Sequence, residues 1–101
     1  MRSIRFSSPA ERDLAGIFAY TVQEWNVEQA FRYLADLRDA ATLLGPTPFI
    51  GRRCDHLLAG LRRLDHARHV IFYLTNDQRI LVVRVLHQAQ IPARKHFRNT
   101  S

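Results

Sequence analysis

The stretch His69-Val70-Ile71-Phe72-Tyr73-Leu74-Thr75-Asn76-Asp77-Gln78-Arg79-Ile80-Leu81-Val82-Val83-Arg84-Val85-Leu86-His87 decides the fold. Two apolar runs, His69 to Tyr73 and Ile80 to Val85, flank a polar turn built on Asn76-Asp77. Short runs rich in Val, Ile, Phe and Tyr, bounded in this way, predict an antiparallel strand pair. Arg84 and His87 then stand at or just past the end of a central strand, where a small domain can present reactive or binding groups on a rigid support.

Working outward, Leu61 to Leu64 alternates and predicts one further strand, preceded by an irregular segment, 47–60, with a basic Arg52-Arg53 step. Upstream, Ala30, Phe31, Leu34, Leu37, Ala41 and Leu44 recur at helical spacing. Asn26 is placed to cap that helix, and Gly45-Pro46 to end it, with the glycine as a left-handed cap. A first helix is signalled by Ser8-Pro9, with Ser8 as the N-cap and Glu11 at capping-box spacing. Its apolar stripe is Ala10, Leu14, Ile17, Phe18 and Thr21, and it runs to about Glu24. Arg2 to Phe6 predicts a first strand, and 91–97 a short last helix. The expected fold is α+β: an N-terminal strand, then an α-helical hairpin packed on a mainly antiparallel four-stranded sheet, then a short C-terminal helix. It would form one domain over residues 1–101.

Composition narrows the function classes. The chain has 101 residues, 47% hydrophobic and 24% charged, which favours a globular domain over disorder. No apolar run reaches the roughly 20 residues of a membrane span, and the first residues lack a signal-peptide core, so a cytosolic protein with no membrane contact is expected. One cysteine, Cys54, excludes an internal disulfide and a cysteine zinc cluster. No metal and no cofactor are expected. The net charge is +6, and fourteen of the fifteen basic side chains are arginine. Arginine's planar fork suits carboxylates and phosphates, which points to an acidic protein or a nucleic acid as partner.

The four glycines are scattered, so there is no phosphate-binding loop. No helix carries a His-x-x-x-His pair, and the serines show no nucleophile motif. Carboxylates on the helices read as exposed faces paired with arginine. Tyr20, Trp25, Phe31, Tyr33 and Phe49 read as core and hinge aromatics. The residues with chemical potential are Arg68, His69, Arg84 and His87, near Arg94, Lys95 and His96. An arginine to stabilise a phosphorane and a histidine to move a proton would serve RNA cleavage. The bland reading pairs the arginines with acids and leaves His87 bonded to backbone.

Taken in order, these segments resemble ParE toxins of the ParDE toxin–antitoxin systems, within the RelE/ParE superfamily. The resemblance rests on Ser8-Pro9-Ala10-Glu11-Arg12-Asp13-Leu14, Ile17-Phe18-Ala19-Tyr20, and Trp25-Asn26 with Ala30 and Tyr33. It continues through Pro48, Gly51-Arg52, Gly60-Leu61-Arg62, His69 to Tyr73 and Arg84-Val85-Leu86-His87. It implies a non-enzymatic toxin that poisons DNA gyrase and is neutralised by a cognate ParD-like antitoxin in a hetero-oligomer, with no sequence-specific DNA binding of its own. Target contacts are expected at Arg84, His87, Arg94, Lys95, His96 and Arg98. Antitoxin contacts are expected at Leu14, Ile17, Phe18, Leu34, Leu37, Arg52 and Arg53. The RelE branch instead cuts messenger RNA in the ribosome, and for that alternative the catalytic residues would be Arg68, Arg84 and His87. After His87 the chain reads Gln88-Ala89-Gln90-Ile91-Pro92, without the extra basic residues and tyrosine typical of the nuclease branch. A basic binding module without toxicity is the remaining alternative.

Overall fold

A computed structural model describes residues 2–98. The chain runs β1 (Ser3–Phe6), α1 (Ser8–Glu24), α2 (Val27–Thr42), β2 (Arg52–Arg53), β3 (Arg62–His66), β4 (His69–Thr75), β5 (Arg79–His87) and a 3₁₀ turn (Arg94–Phe97). The strands form one sheet in the order β1-β5-β4-β3-β2. Only β1 is parallel to its neighbour; the other pairs are antiparallel. The α+β architecture is as expected, with five strands in place of four. The extra one, β2, is too short to show any period in the sequence. Its pairing sets Arg52 opposite Arg63, an unfavourable like-charge contact. Asp65 offsets it by accepting from both guanidinium groups, at 3.2 and 3.1 Å.

The helix starts are set by side chains. Ser7, not Ser8, caps α1: its Oγ accepts from the Ala10 N–H at 3.1 Å. Ser8 is already helical, and Glu11 leaves the expected capping box to pair with Arg38 at 2.9 Å. Asn26 caps α2 through the Gln29 N–H at 2.7 Å, as its position predicts. Gly45 does not take the left-handed conformation expected of it. Among the described glycines only Gly60 has positive φ, and α2 instead tightens through Leu44 N–H to Ala41 O and Gly45 N–H to Thr42 O.

The central strands are buried on both faces, which explains their near-continuous apolar character. The hairpin face packs Ile71, Tyr73, Ile80, Val82 and Val85 against Leu14, Leu37 and Leu44 of the helical half. The opposite face packs Val70, Phe72, Val83 and Leu86 under Cys54, Leu61 and Phe97. Each fully buried Leu, Ile or Phe contributes about 1.5–3 kcal/mol. Phe31 departs from the predicted apolar seam: it stands 64% exposed, because the buried face of α2 is formed by Ala30, Leu37, Ala40 and Ala41, with Tyr33 and Leu34 partly buried beside them. No helix among the described residues is long and apolar enough to cross a membrane.

One buried hydroxyl ties the irregular segment to the sheet. Tyr73 Oη donates to the Pro48 carbonyl and accepts from the Gly51 N–H, both at 2.9 Å. A Cβ at Gly51 would lie 2.5 Å from that oxygen and 2.8 Å from the Arg63 carbonyl, so only glycine fits. Tyr73→Phe leaves both backbone groups unpaired and is expected to cost about 1–3 kcal/mol. Gly51→Ala is expected to cost at least as much, because the Arg63 backbone must yield. Urea unfolding midpoints measure both; a change below about 0.5 kcal/mol for either contradicts this account.

Candidate functional site

β1 ends at Phe6, opposite Val82, so the outer edge of β5 beyond that point has no strand beside it. The start of α1 completes the edge with polar groups. The Ser7 N–H donates to Val82 O and the Ser7 hydroxyl to Val83 O, both at 2.9 Å. Asp13 accepts from the Val85 N–H at 2.9 Å and takes a two-pronged bond from Arg84, Nε at 2.7 Å and Nη2 at 2.8 Å. The remaining guanidinium nitrogen donates to the His96 carbonyl at 3.1 Å. Arg84 and Asp13 side chains are 21% and 15% exposed, so this pair is largely withdrawn from water.

Opposite the bulge, Phe72 faces Arg84 and Tyr73 faces Val82, leaving Val83 as the extra residue of β5. An extra residue reverses which side later side chains face. Val85 therefore joins Val82 on the hairpin face, and His87 follows beside His69. Tyr33 of α2 reaches the same place, its hydroxyl bonded to His69 Nδ1 at 2.5 Å. The His69 and His87 rings meet edge to face with centroids 5.3 Å apart. Nδ1 of His87 accepts from the Ala89 N–H at 3.0 Å. The two imidazoles are thus each held at Nδ1, His69 by the Tyr33 hydroxyl and His87 by the Ala89 N–H. Burial, then the neighbouring His87 and His66, push the His69 pKa down to about 4. Burial raises the Tyr33 phenol, keeping it a neutral donor.

These groups line a cavity of about 710 Å³ bounded by α1, the start of α2, and the β3–β4 turn. The turn is tight, since His66 pairs directly with His69. It holds Ala67 at φ 52°, a left-handed conformation that costs a side-chain-bearing residue energy. Arg68 follows it into the cavity lining. Asp65 and His66 end β3, and His69 opens β4.

Of the residues predicted from sequence, Arg68, Arg84 and His87 do converge on this cavity. Arg84 is the one committed to a carboxylate. Arg94 and Lys95 are exposed on the 3₁₀ turn, where Arg94 Nε donates to the His56 carbonyl at 3.1 Å. His96 turns its ring inward to accept from the Ala93 N–H. Arg98 is exposed at the end of the described residues. The tail therefore meets the cavity lining through His96, whose carbonyl accepts from Arg84 at 3.1 Å and whose Nε2 lies 3.4 Å from Gln90 Nε2. Leu14 and Leu37, expected to touch an antitoxin, are corrected to core residues at 2% and 1% exposure. Phe18 and Leu34 remain half-buried and, with exposed Phe31, line a shallow groove of about 330 Å³ between the helices. Ile17 lies at the cavity instead. Arg52 and Arg53 are on β2, paired with Asp65 and Asp55.

Sequence reasoning missed Tyr33, Arg12, Tyr20 and Trp25 as cavity residues. Tyr20, Trp25, Phe31 and Phe49, read as core and hinge aromatics, are 60–68% exposed, and of these Trp25 stands at the hinge between the helices. The available signal was spacing: Phe31 directly follows buried Ala30, so it cannot share that face of a helix. Among the described residues, no three His, Cys, Asp or Glu side chains are placed to hold a metal ion.

Because folding holds His69 neutral, the unfolded chain binds a proton near the usual pH 6.5 that the folded chain refuses until about pH 4. Stability should then be full above pH 6.5 and fall as pH drops toward 4. His69→Gln should flatten that part of the profile. Thermal unfolding across pH 4–7 measures it, and an unchanged slope in the variant contradicts the assignment.

Comparison with known proteins places the sequence in a family. The profile for "ParE toxin of type II toxin-antitoxin system, parDE" matches residues 4–92. The chain is 38% identical to toxin ParE1 of Caulobacter vibrioides over 97 residues, covering 96% of this chain and 99% of that one. It is 41% identical to toxin ParE1 of Mycobacterium tuberculosis over 83 residues, 81% and 85% of the two chains. The fold is similar to that in the chromosomal ParDE toxin–antitoxin system of P. aeruginosa (TM-score 0.73, 19% identity, 86% of this chain and 96% of that one). It is also similar to that in the RelBE2 toxin–antitoxin complex of M. tuberculosis (TM-score 0.67, 23% identity, 85% and 96%). The chain belongs to the ParE toxin family of type II toxin–antitoxin systems.

Proposed function

We propose that this ParE-family toxin acts in the cytoplasm by binding DNA gyrase, without chemistry of its own, and is neutralised by a ParD-like antitoxin. The observation that carries the non-catalytic reading is the bond between Arg84 and Asp13. A ribonuclease built on Arg68, Arg84 and His87 needs Arg84, beside Arg68, free to meet charge developing on phosphorus. Here that group is neutralised by a carboxylate and also holds the His96 carbonyl. Arg68 and His87 alone lack the third partner of that mechanism.

The gyrase contact is assigned to the cavity mouth at His87 and to the tail, with Arg94, Lys95, His96 and Arg98 as its basic edge. Arg84 supports that edge by tying His96 to β5. The antitoxin is assigned to the groove lined by Phe18, Phe31 and Leu34, where an amphipathic helix can bury its apolar stripe. The Glu11–Arg38 pair gives the groove a polar rim. Arg52 and Arg53 would attract an acidic antitoxin tail, exchanging intramolecular carboxylates for those of the partner.

Purified gyrase should lose supercoiling activity and accumulate protein-linked DNA breaks when this toxin is added, and equimolar antitoxin should reverse both. Phe31→Asp should abolish reversal by antitoxin while leaving inhibition intact. Unchanged supercoiling at micromolar toxin, with cleavage of ribosome-bound message, would replace this reading with the nuclease one.

A further inference from the structure

The cavity carries charge that its own residues do not balance. Arg12, Arg68 and Arg84 line it against the one carboxylate of Asp13, and Asp13 is occupied by Arg84. Arg12 and Arg68 form no ion pair among the described residues. Two cations therefore face one space from different elements, Arg12 from α1 and Arg68 from the β3–β4 turn.

Two large rings share that lining. Tyr20 and Trp25 are 62% and 68% exposed, although aromatic side chains of this size usually dominate cores and interfaces. A third feature keeps the space open. Arg12, Gly16 and Tyr20 follow one another at four-residue spacing, one stripe of α1, and all three line the cavity. A glycine in mid-helix costs about 1 kcal/mol relative to alanine. At Gly16 a Cβ would meet nothing within 4 Å, so packing does not demand the glycine. Its effect is to leave the stripe bare between a guanidinium and a phenol ring.

Unpaired arginines, open aromatic faces and a cavity within the range of small-ligand sites match one ligand chemistry. We propose that this cavity binds one unstacked nucleotide of a single-stranded nucleic acid, its base against Trp25 and Tyr20 and its phosphate on Arg12 and Arg68. Stacking is tolerant of base identity because every base has a π-face. Arginine meets a phosphodiester with two parallel N–H donors. Gln29 and Gln90, also in the lining, offer amides to a base edge. A duplex is excluded by the same logic, since its bases are already stacked and paired. The binding does not depend on gyrase, so it stands or fails separately from the function proposed above.

The protein has one tryptophan, Trp25, which reports directly on the site. Full-length toxin titrated with oligo-dT ten nucleotides long should show quenching of Trp25 emission that saturates. Oligo-rU and thymidine monophosphate serve as further arms, distinguishing DNA, RNA and free nucleotide as the source of the ligand. Gly16→Leu fills the open stripe and improves helix propensity, so it should raise the unfolding temperature while weakening binding at least about tenfold. Arg12→Ala with Arg68→Ala should weaken binding by a similar factor. Arg5→Ala with Arg79→Ala removes the same charge where β1 pairs with β5, and should change affinity by no more than about twofold. Equal binding of the dT–dA duplex, equal loss in the Arg5/Arg79 variant, full affinity in Gly16→Leu, or no quenching at micromolar ligand would each overturn the proposal. Stronger binding of an oligoglutamate peptide than of any oligonucleotide would assign the cavity to an acidic chain and overturn it as well.

Discussion

The bond between Asp13 and the end of β5 is the constraint on which the rest of the molecule turns. A parallel strand of four residues cannot cover a strand of nine. The bare length must be satisfied by something other than backbone, because unpaired buried amides are costly. Ser7 and Asp13 supply that satisfaction from the first two turns of α1. In doing so they fix how the helix crosses the sheet. They also place one wall of the cavity, since Arg12, Gly16 and Tyr20 lie on the same helix. The arginine that a catalytic reading would want free is the group that makes this junction neutral.

Chemistry and architecture meet again at the bulge. Without Val83 as an extra residue, His87 would fall on the opposite face of the sheet, away from His69 and Tyr33. The strand would bury equally apolar residues either way, since both faces are covered. The bulge therefore has little to do with core volume and much to do with where a histidine ends up. The same arrangement keeps the His69 imidazole neutral down to about pH 4, and the lasting positive character of the cavity comes from its arginines, which stay charged above neutral pH.

Much of the fold was legible because it rests on local signals. The β4–β5 hairpin is announced by Asn76-Asp77 between two apolar runs, and α2 by Asn26 and its seam. The parts that were not legible share a physical cause: they depend on partners distant in the chain. Local spacing names Ser8 as the cap, whereas Ser7 takes that place through its bonds to the carbonyls of Val82 and Val83. The two-residue β2 has no period to detect. For the site, Arg68, Arg84 and His87 were found by position at strand ends, but the pairing of Arg84 with Asp13 spans 71 residues and leaves no sequence trace. Leu14 and Leu37 were misplaced because an amphipathic stripe does not say which of its members face the sheet and which the rim. The aromatics at the cavity were taken for core because size alone favours burial.

That span has a consequence in time. Every residue lining the groove between the helices lies before residue 39, so its material leaves the ribosome early. The cavity needs β5, which pairs back to residues at the very start of the chain, and such long-range closures are the slow ones. During synthesis the groove proposed above for an antitoxin therefore emerges before the cavity proposed for the target is closed. On that proposal, a nascent toxin can be met by its inhibitor before its target-binding surface exists.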